Sequence, residues 1–161
     1  MFLEEISSLS PKIQFKTYNF FDDLESKREY DIDKIPAIVT ESDSSNRLVF
    51  YGIPQGHQFP VFLEGMERMS RGVSSLTNTT RKGFSRLDRL VSLRVFVSSN
   101  SITAAAVAKL AQAAALQSRL IRTEIIDVNG FPELSRAYNV SAVPKTIINN
   151  ICLLYTSDAA D

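Results

Sequence analysis

The sequence predicts an α/β fold made of two successive copies of one unit, and three observations carry that prediction. Sliding the chain against itself by 108 residues aligns 13–39 with 121–147 without a gap, pairing Ile13 with Ile121, Arg28 with Arg136, Tyr30 with Tyr138, Ile32 with Val140, Ile35 with Val143 and Pro36 with Pro144. The same register repeats one order of elements: an apolar strand, a polar helix with a Tyr near its end, an apolar residue before Pro, then another strand. Finally, 94–97 (RVFV), a polar turn at 98–101 and a helix over 103–117 built on Ala, the best helix former, make a strand-turn-helix unit that feeds a parallel strand.

Along the first copy, residues 2–9 read as the end of a helix. Residues 13–20 alternate Ile13, Phe15 and Thr17 with polar neighbours and read as a strand. Asp22 or Asp23 caps a short helix running to about Tyr30. Residues 37–40 form the strand after Pro36, 47–52 form the next, 52–56 are a turn, and 58–69 form a helix with Phe59, Phe62, Leu63 and Met66 on one face. A Ser/Thr/Gly linker follows at 70–78, and 79–87 make a short helix that buries Phe84 and Leu87. In the second copy, 120–128 is a strand, 131–138 a helix that tolerates Pro132 in its first turn, and 146–148 a strand.

Each copy is expected to be incomplete. The counterpart of 94–97 would begin near position −15, so the first copy lacks its opening strand. The counterparts of 47–69 would begin near residue 156, so the second lacks its closing strand and helix. The expected organisation is a partial unit at 1–69, a linker with a short helix at 70–92, a second partial unit at 93–151, and a tail at 152–161. That tail, CLLYTSDAAD, does not continue the pattern before it and looks like a sequencing adapter read in frame, to be left out of fold reasoning.

Composition bounds the function. With 161 residues, 44% apolar and 22% charged, the chain has the makings of a globular core, and 18 basic residues against 18 acidic ones create no net field for nucleic acid or an acidic membrane surface. The longest weakly polar stretch, 102–116, falls short of the roughly 20 apolar residues that cross a bilayer. One Cys and one His cannot build a structural zinc site, which wants about four ligands, nor can a lone Cys close an internal disulfide. No metal and no cofactor is expected. With no targeting signal in view, the expected location is the cytoplasm. His57 reads as a turn or capping residue, and Ser98, Ser99 and Ser101 lack the G-x-S-x-G context of a hydrolase, which leaves Ser101 as a helix N-cap. The 52–56 turn matches no phosphate-binding fingerprint. Tyr30 and Tyr138 read as packing residues.

The segments FYGIPQGHQFPVFLE at 50–64, DKIPAIV at 33–39, RVFVSS at 94–99 and YNVSAVPKTIIN at 138–149 are similar to the thioredoxin/glutaredoxin fold, and two such units in tandem resemble the protein disulfide oxidoreductases. The resemblance covers nearly all of 1–150. It implies thiol-disulfide exchange with protein or peptide substrates, a Cys-x-x-Cys at the start of each unit's first helix, and a cis proline beside it whose preceding residue offers backbone hydrogen bonds to an extended peptide. By that resemblance the grooves are lined by Ile35, Pro36, Val143 and Pro144, with both X-Pro bonds cis.

The sequence departs from the pattern where the chemistry lies. The Cys-x-x-Cys falls on Ser101, Ile102, Thr103 and Ala104. Exchange requires a thiolate at the helix N-terminus and a second thiol to resolve the mixed disulfide. Neither is present, so the second unit is expected to be redox-inert, and the first unit's motif would lie near position −7. The rival expectation is a thiol-free module that holds peptides or a partner protein in the same groove.

Overall fold

The computed structural model describes residues 2–42, 46–73 and 75–153. They form α1 (Phe2–Ser8), α2 (Leu24–Glu29), β1 (Ala37–Glu41), β2 (Arg47–Tyr51), α3 (Gln58–Arg71), α4 (Asn78–Phe84), β3 (Val91–Val97), α5 (Ile102–Gln117), β4 (Ile121–Asp127), α6 (Pro132–Ala137), β5 (Lys145–Ile148) and β6 (Ile151–Leu153). The chain divides into two compact units, Met1–Ile35 and Pro36–Asp161.

The first unit holds α1, α2 and the segment between them. Residues 13–19 alternate in polarity as a strand would, yet they form no strand. A strand exists through the N–H and C=O groups of its neighbour, and no described segment pairs with this one. Asp23 stands at the N-cap position of α2, but its carboxylate accepts the Asn19 N–H at 2.5 Å and no helix N–H. At the other end, Asp31 takes a left-handed φ of 50°, its N–H donates to Arg28 O at 3.2 Å, and the Ile32 N–H reaches Lys27 O at 3.0 Å. This is a Schellman ending.

The same ending recurs one repeat later. Asn139 has φ 50°, its N–H donates to Arg136 O at 3.0 Å, and Val140 N–H reaches Ser135 O at 2.8 Å. Helices α2 and α6 match residue for residue at the 108 offset, so the repeat seen in the letters is also a repeat of backbone geometry. Each Tyr after its helix stacks on a ring: Tyr30 on Tyr18 at 5.9 Å, Tyr138 on Phe96 at 5.5 Å.

The second unit is built on one six-stranded sheet in the order β1-β2-β4-β3-β5-β6. Strands β2, β4 and β3 are parallel, with Leu48 beside Thr123 and Val95 beside Ile125, while β1 and β5 run antiparallel to their neighbours β2 and β3. Strands from both copies therefore share a sheet, and the compact units do not coincide with the copies. Side chains alternate across the sheet. Val95, Val97 and Ile125 enter a core with Val61, Ala104, Ala105, Ala108 and Ala111. On the opposite face Phe96 meets Tyr138, and Glu124 is held by Arg94 at 2.9 Å and Arg122 at 3.0 Å. Covered on both sides, the run 95–97 is fully buried, as central parallel strands are.

Helix α3 differs from the expected face. Its buried residues are Gln58, Val61, Phe62, Gly65 and Met69, with Phe59, Leu63 and Met66 half-buried. Gly65 explains the shift: a Cβ there would lie 2.7 Å from Gln112 Oε1 of α5, so α3 turns its smallest residue toward the neighbouring helix. In α4 the Thr77 hydroxyl caps the Thr80 N–H at 3.3 Å, and Phe84 and Leu87 are half-buried rather than buried.

The sheet of the second copy ends in a short strand that takes in Cys152 and Leu153, the first two residues of the adapter-like tail. Strand β6 pairs antiparallel with β5, with Ile148 beside Ile151. Asn149 and Asn150, at φ 49° and 65°, make a tight two-residue turn of the kind that joins hairpins, so this strand begins earlier than the 108 offset places it. No closing helix follows among the described residues. The adapter-like tail lies, after Leu153, outside the described residues. No helix among the described residues is long and apolar enough to cross a membrane.

Candidate functional site

The residues singled out in the second copy gather at one end of the sheet, where the parallel strands finish. Strand β3 ends at Val97, the chain turns through 98–101, and α5 begins. Ser101 is its N-cap: in extended conformation (φ −99°, ψ 111°), its Oγ accepts the Ala104 N–H at 3.0 Å. A Ser at this position satisfies one of the free N–H groups of the first turn. Ile102 and Thr103 face outward, Ile102 at 69% exposed, whereas Ala104 is fully buried against Val95 and Val97.

Strand β5 returns antiparallel to β3, with Lys145 beside Phe96. Continuing that register sets Val143 opposite Ser98, and Val143 packs on the core cluster that contains Ala104. The Val143–Pro144 bond is cis and Pro144 is buried. Lys145, only 5% exposed, points its ammonium at Tyr138 O (2.7 Å) and Asn139 O (2.9 Å) and so fastens the end of α6 to the start of β5. Carbonyl acceptors at hydrogen-bond distance are what allow an ammonium to be buried.

Ile35 and Pro36 do not share these surroundings. Both are exposed, Ile35 at 47%, and their bond is not cis, which corrects the expectation of two cis prolines. Trans is the default for X-Pro by about 0.5–1 kcal/mol, and nothing encloses this bond as the core encloses Pro144. Strands β2 and β4 also lie between β1, which follows Pro36, and β3. Pro36 is therefore remote from 101–104.

Some residues of this end escaped the sequence reading. The Ser98 and Ser99 carbonyls are bound from α3: Gln58 Nε2 donates to Ser98 O at 3.2 Å, and the His57 N–H donates to Ser99 O at 2.9 Å. Gly56, at φ 53°, permits the approach, since a Cβ would come within 2.4 Å of Ser99 O. A polar residue at a helix start reads as exposed, so Gln58, 2% exposed, gave no signal. His57 stands at the N-cap of α3 without a side-chain capping bond.

Contacts between α3 and α5 advance in one direction, Gln58 near Ser98, Glu64 with Lys109, Gly65 with Gln112, so the helices are parallel and begin at the same end. The Lys109 ammonium, 2.8 Å from Glu64 Oε1, holds that carboxyl below its ordinary range against the upward push of burial, and the neighbouring Arg68 adds to the effect. Among the described residues, no cluster of three His, Cys, Asp or Glu could hold a metal ion. What this end of the sheet offers is a capped helix start, two outward side chains, and a backbone segment at Val143. It offers no thiol.

The fold is shared with known structures. The chain is similar to the NTD_N/C domain of alkylhydroperoxide reductase AhpF from Enterococcus faecalis, at 24% identity and a TM-score of 0.87, over 96% of this chain and 75% of that one. It is similar to a protein disulfide oxidoreductase from Aeropyrum pernix at 20% identity and a TM-score of 0.70, over 84% of this chain and 61% of that one. With Sso1120 from Sulfolobus solfataricus the values are 20% and 0.66, over 83% and 86%. No family model matches the sequence, and no curated protein matches it. The chain thus has the thioredoxin/glutaredoxin-like fold of these neighbours.

Proposed function

We propose that this chain is a thioredoxin-fold relative of the thiol-disulfide oxidoreductases that performs no dithiol exchange as written. The observation that carries the reading is Ser101. Its Oγ lies at the helix N-terminus as an acceptor for the Ala104 N–H, at 3.0 Å, and a hydroxyl there does not ionise usefully near neutral pH. Ala104, where a resolving thiol would stand, presents a buried methyl. Exchange needs a thiolate to attack one sulfur and a second thiol to release the mixed disulfide, and these positions supply neither.

A dithiol-exchange assay with insulin tests the proposal. The chain is expected to be inactive, and to remain so with Cys152→Ser. The pair Ser101→Cys and Ala104→Cys puts the first sulfur at the start of a 16-residue helix, whose dipole favours a thiolate, and measurable exchange is expected to return. Activity of the unaltered chain that survives Cys152→Ser would overturn the proposal.

A second reading, a thiol-free module for extended peptides, is favoured by Val143. Its N–H and C=O make no hydrogen bond among the described residues, and they stand at the same end of the sheet as the outward Ile102 and Thr103. A panel of extended peptides that perturbs the Val143 amide resonance supports this reading, and no perturbation at millimolar peptide removes it.

A further inference from the structure

We infer that the end of the second unit opposite the candidate site is a docking face for an anionic membrane surface. The equal totals of basic and acidic residues hide an unequal distribution. From 72 to 123 the chain carries eight basic residues and one acidic residue, Asp88, which leaves 10 basic and 17 acidic residues elsewhere. Some of the eight are held by carboxylates: Arg94 and Arg122 by Glu124, Lys109 by Glu64, and Arg89 beside Asp88 at 4.0 Å. Arg81, Lys82, Arg86 and Arg119 are exposed and have no carboxylate partner among the described residues.

Topology brings these four to one end. Helix α5 joins the parallel strands β3 and β4, so it runs from the candidate site back to the end where both strands start. Helix α3 lies parallel to it and finishes there too. Helix α4 rests against the finish of α5: Asn78, Arg81, Lys82 and Ser85, which share a face by their spacing, line an open hollow of about 420 Å³ with Gln117. None of these lining residues is acidic. Arg86 follows Ser85 directly, and Arg119 stands two residues past Gln117.

The same end exposes two aliphatic side chains. Val73, two residues past α3, is 54% exposed, and Leu90, immediately before β3, is 64% exposed. They discriminate among anionic partners, since cations alone suit all of them. A nucleic acid gains nothing from exposed aliphatics and stacks its bases on exposed rings, whereas the aromatic residue of 72–93, Phe84, is half-buried. A protein partner presents carboxylates at fixed points and calls for cations held at matching points. A bilayer presents a fluid array of anionic headgroups above hydrocarbon. Cations that no carboxylate anchors follow such an array, and aliphatic side chains beside them enter the acyl boundary, the two forces that hold proteins on anionic membranes.

The test is sedimentation of the whole chain with vesicles. The chain is expected to pellet with phosphatidylcholine vesicles containing about one-third phosphatidylserine and to stay in solution with phosphatidylcholine alone. Each cation near an anionic surface contributes about fivefold in partitioning, so Arg81→Gln with Lys82→Gln is expected to weaken binding by at least about tenfold. An unchanged unfolding midpoint shows that this variant is folded. Leu90→Ser is expected to weaken binding by about threefold or more, an effect that charge alone does not produce. Arg136→Gln removes an exposed cation from α6, which leaves the other end of the sheet, and should change binding by less than about twofold. The inference is overturned by failure to pellet with phosphatidylserine, by equal pelleting with phosphatidylcholine alone, or by binding indifferent to the Arg81 and Lys82 pair or to Leu90→Ser. Tighter binding to a single-stranded oligonucleotide than to the vesicles would also overturn it and make a nucleic acid the occupant.

Discussion

Strands β5 and β1 hold matching positions in the repeat, yet β5 is hydrogen-bonded along both edges and β1 along one. The contrast extends to their preceding segments. Residues 121–127 form a strand between two neighbours, and their counterparts at 13–19 form none. Polarity and turn chemistry are similar in the two copies, down to the left-handed Asp31 and Asn139 that close the preceding helices. What differs is the presence of a paired strand. Pattern decides which face a strand would present, and a partner decides whether the strand exists.

Hydrogen exchange is the largest test of that contrast. Amides of Val95, Phe96 and Val97 and of Ile125 and Ile126 are expected to exchange at least about a thousandfold more slowly than those of 14–18, which should approach the rate of free chain. Equal protection in the two segments would break the comparison. Truncation sharpens it further. Phe96→Ala removes a fully buried ring from the centre of the sheet and is expected to cost about 3–5 kcal/mol in denaturant unfolding, whereas Phe15→Ala, at a residue 41% exposed, should stay within about 0.5 kcal/mol.

Smaller effects probe the end of the sheet that carries the candidate site. Gly56→Ala forces a side chain into a left-handed position against Ser99 O and is expected to cost about 1–3 kcal/mol. Ser101→Ala removes the cap of α5 at about 1 kcal/mol, and His57→Ala, which breaks no capping bond, should fall within about 0.5 kcal/mol. The smallest effect is electrostatic. Because the Glu64 carboxyl is lowered in the folded state by Lys109, its contribution is present above the ordinary Glu value of about 4.3 and is lost as pH falls through the lowered value. Glu64→Gln should flatten the stability profile in that acid window. With Lys109 44% exposed, solvent screening holds the effect below about 1 kcal/mol.

Much of this architecture was legible because it is local. The apolar run RVFV, the alanines of α5 and the Ser101 cap depend on neighbours within a turn or two, and sequence pattern reports such neighbours directly. The errors share one cause, dependence on residues distant in the chain. The strand at 13–20 required a neighbouring strand that no described segment supplies, and Pro36 required an enclosure of the kind that Pro144 has. The buried face of α3 rotated because Gly65 meets Gln112, a contact between helices that neither helix announces. At the candidate site, the replacement of both thiols was plain in the letters, whereas the tie from Gln58 to Ser98 depends on how α3 and α5 lie together.

The pairing of β2 with β4 has a kinetic consequence. Leu48 can meet Thr123 only after the intervening chain has closed a long loop, and the entropy of that closure is lost before any ladder bond returns it. The hairpins β1–β2 and β5–β6 involve short loops and are free to form early. Refolding followed at single residues should therefore show Val49 and Ile125, whose amides face each other's strand, acquiring protection late and together, with the pair β3–β4, bridged by its crossover helix, forming before them.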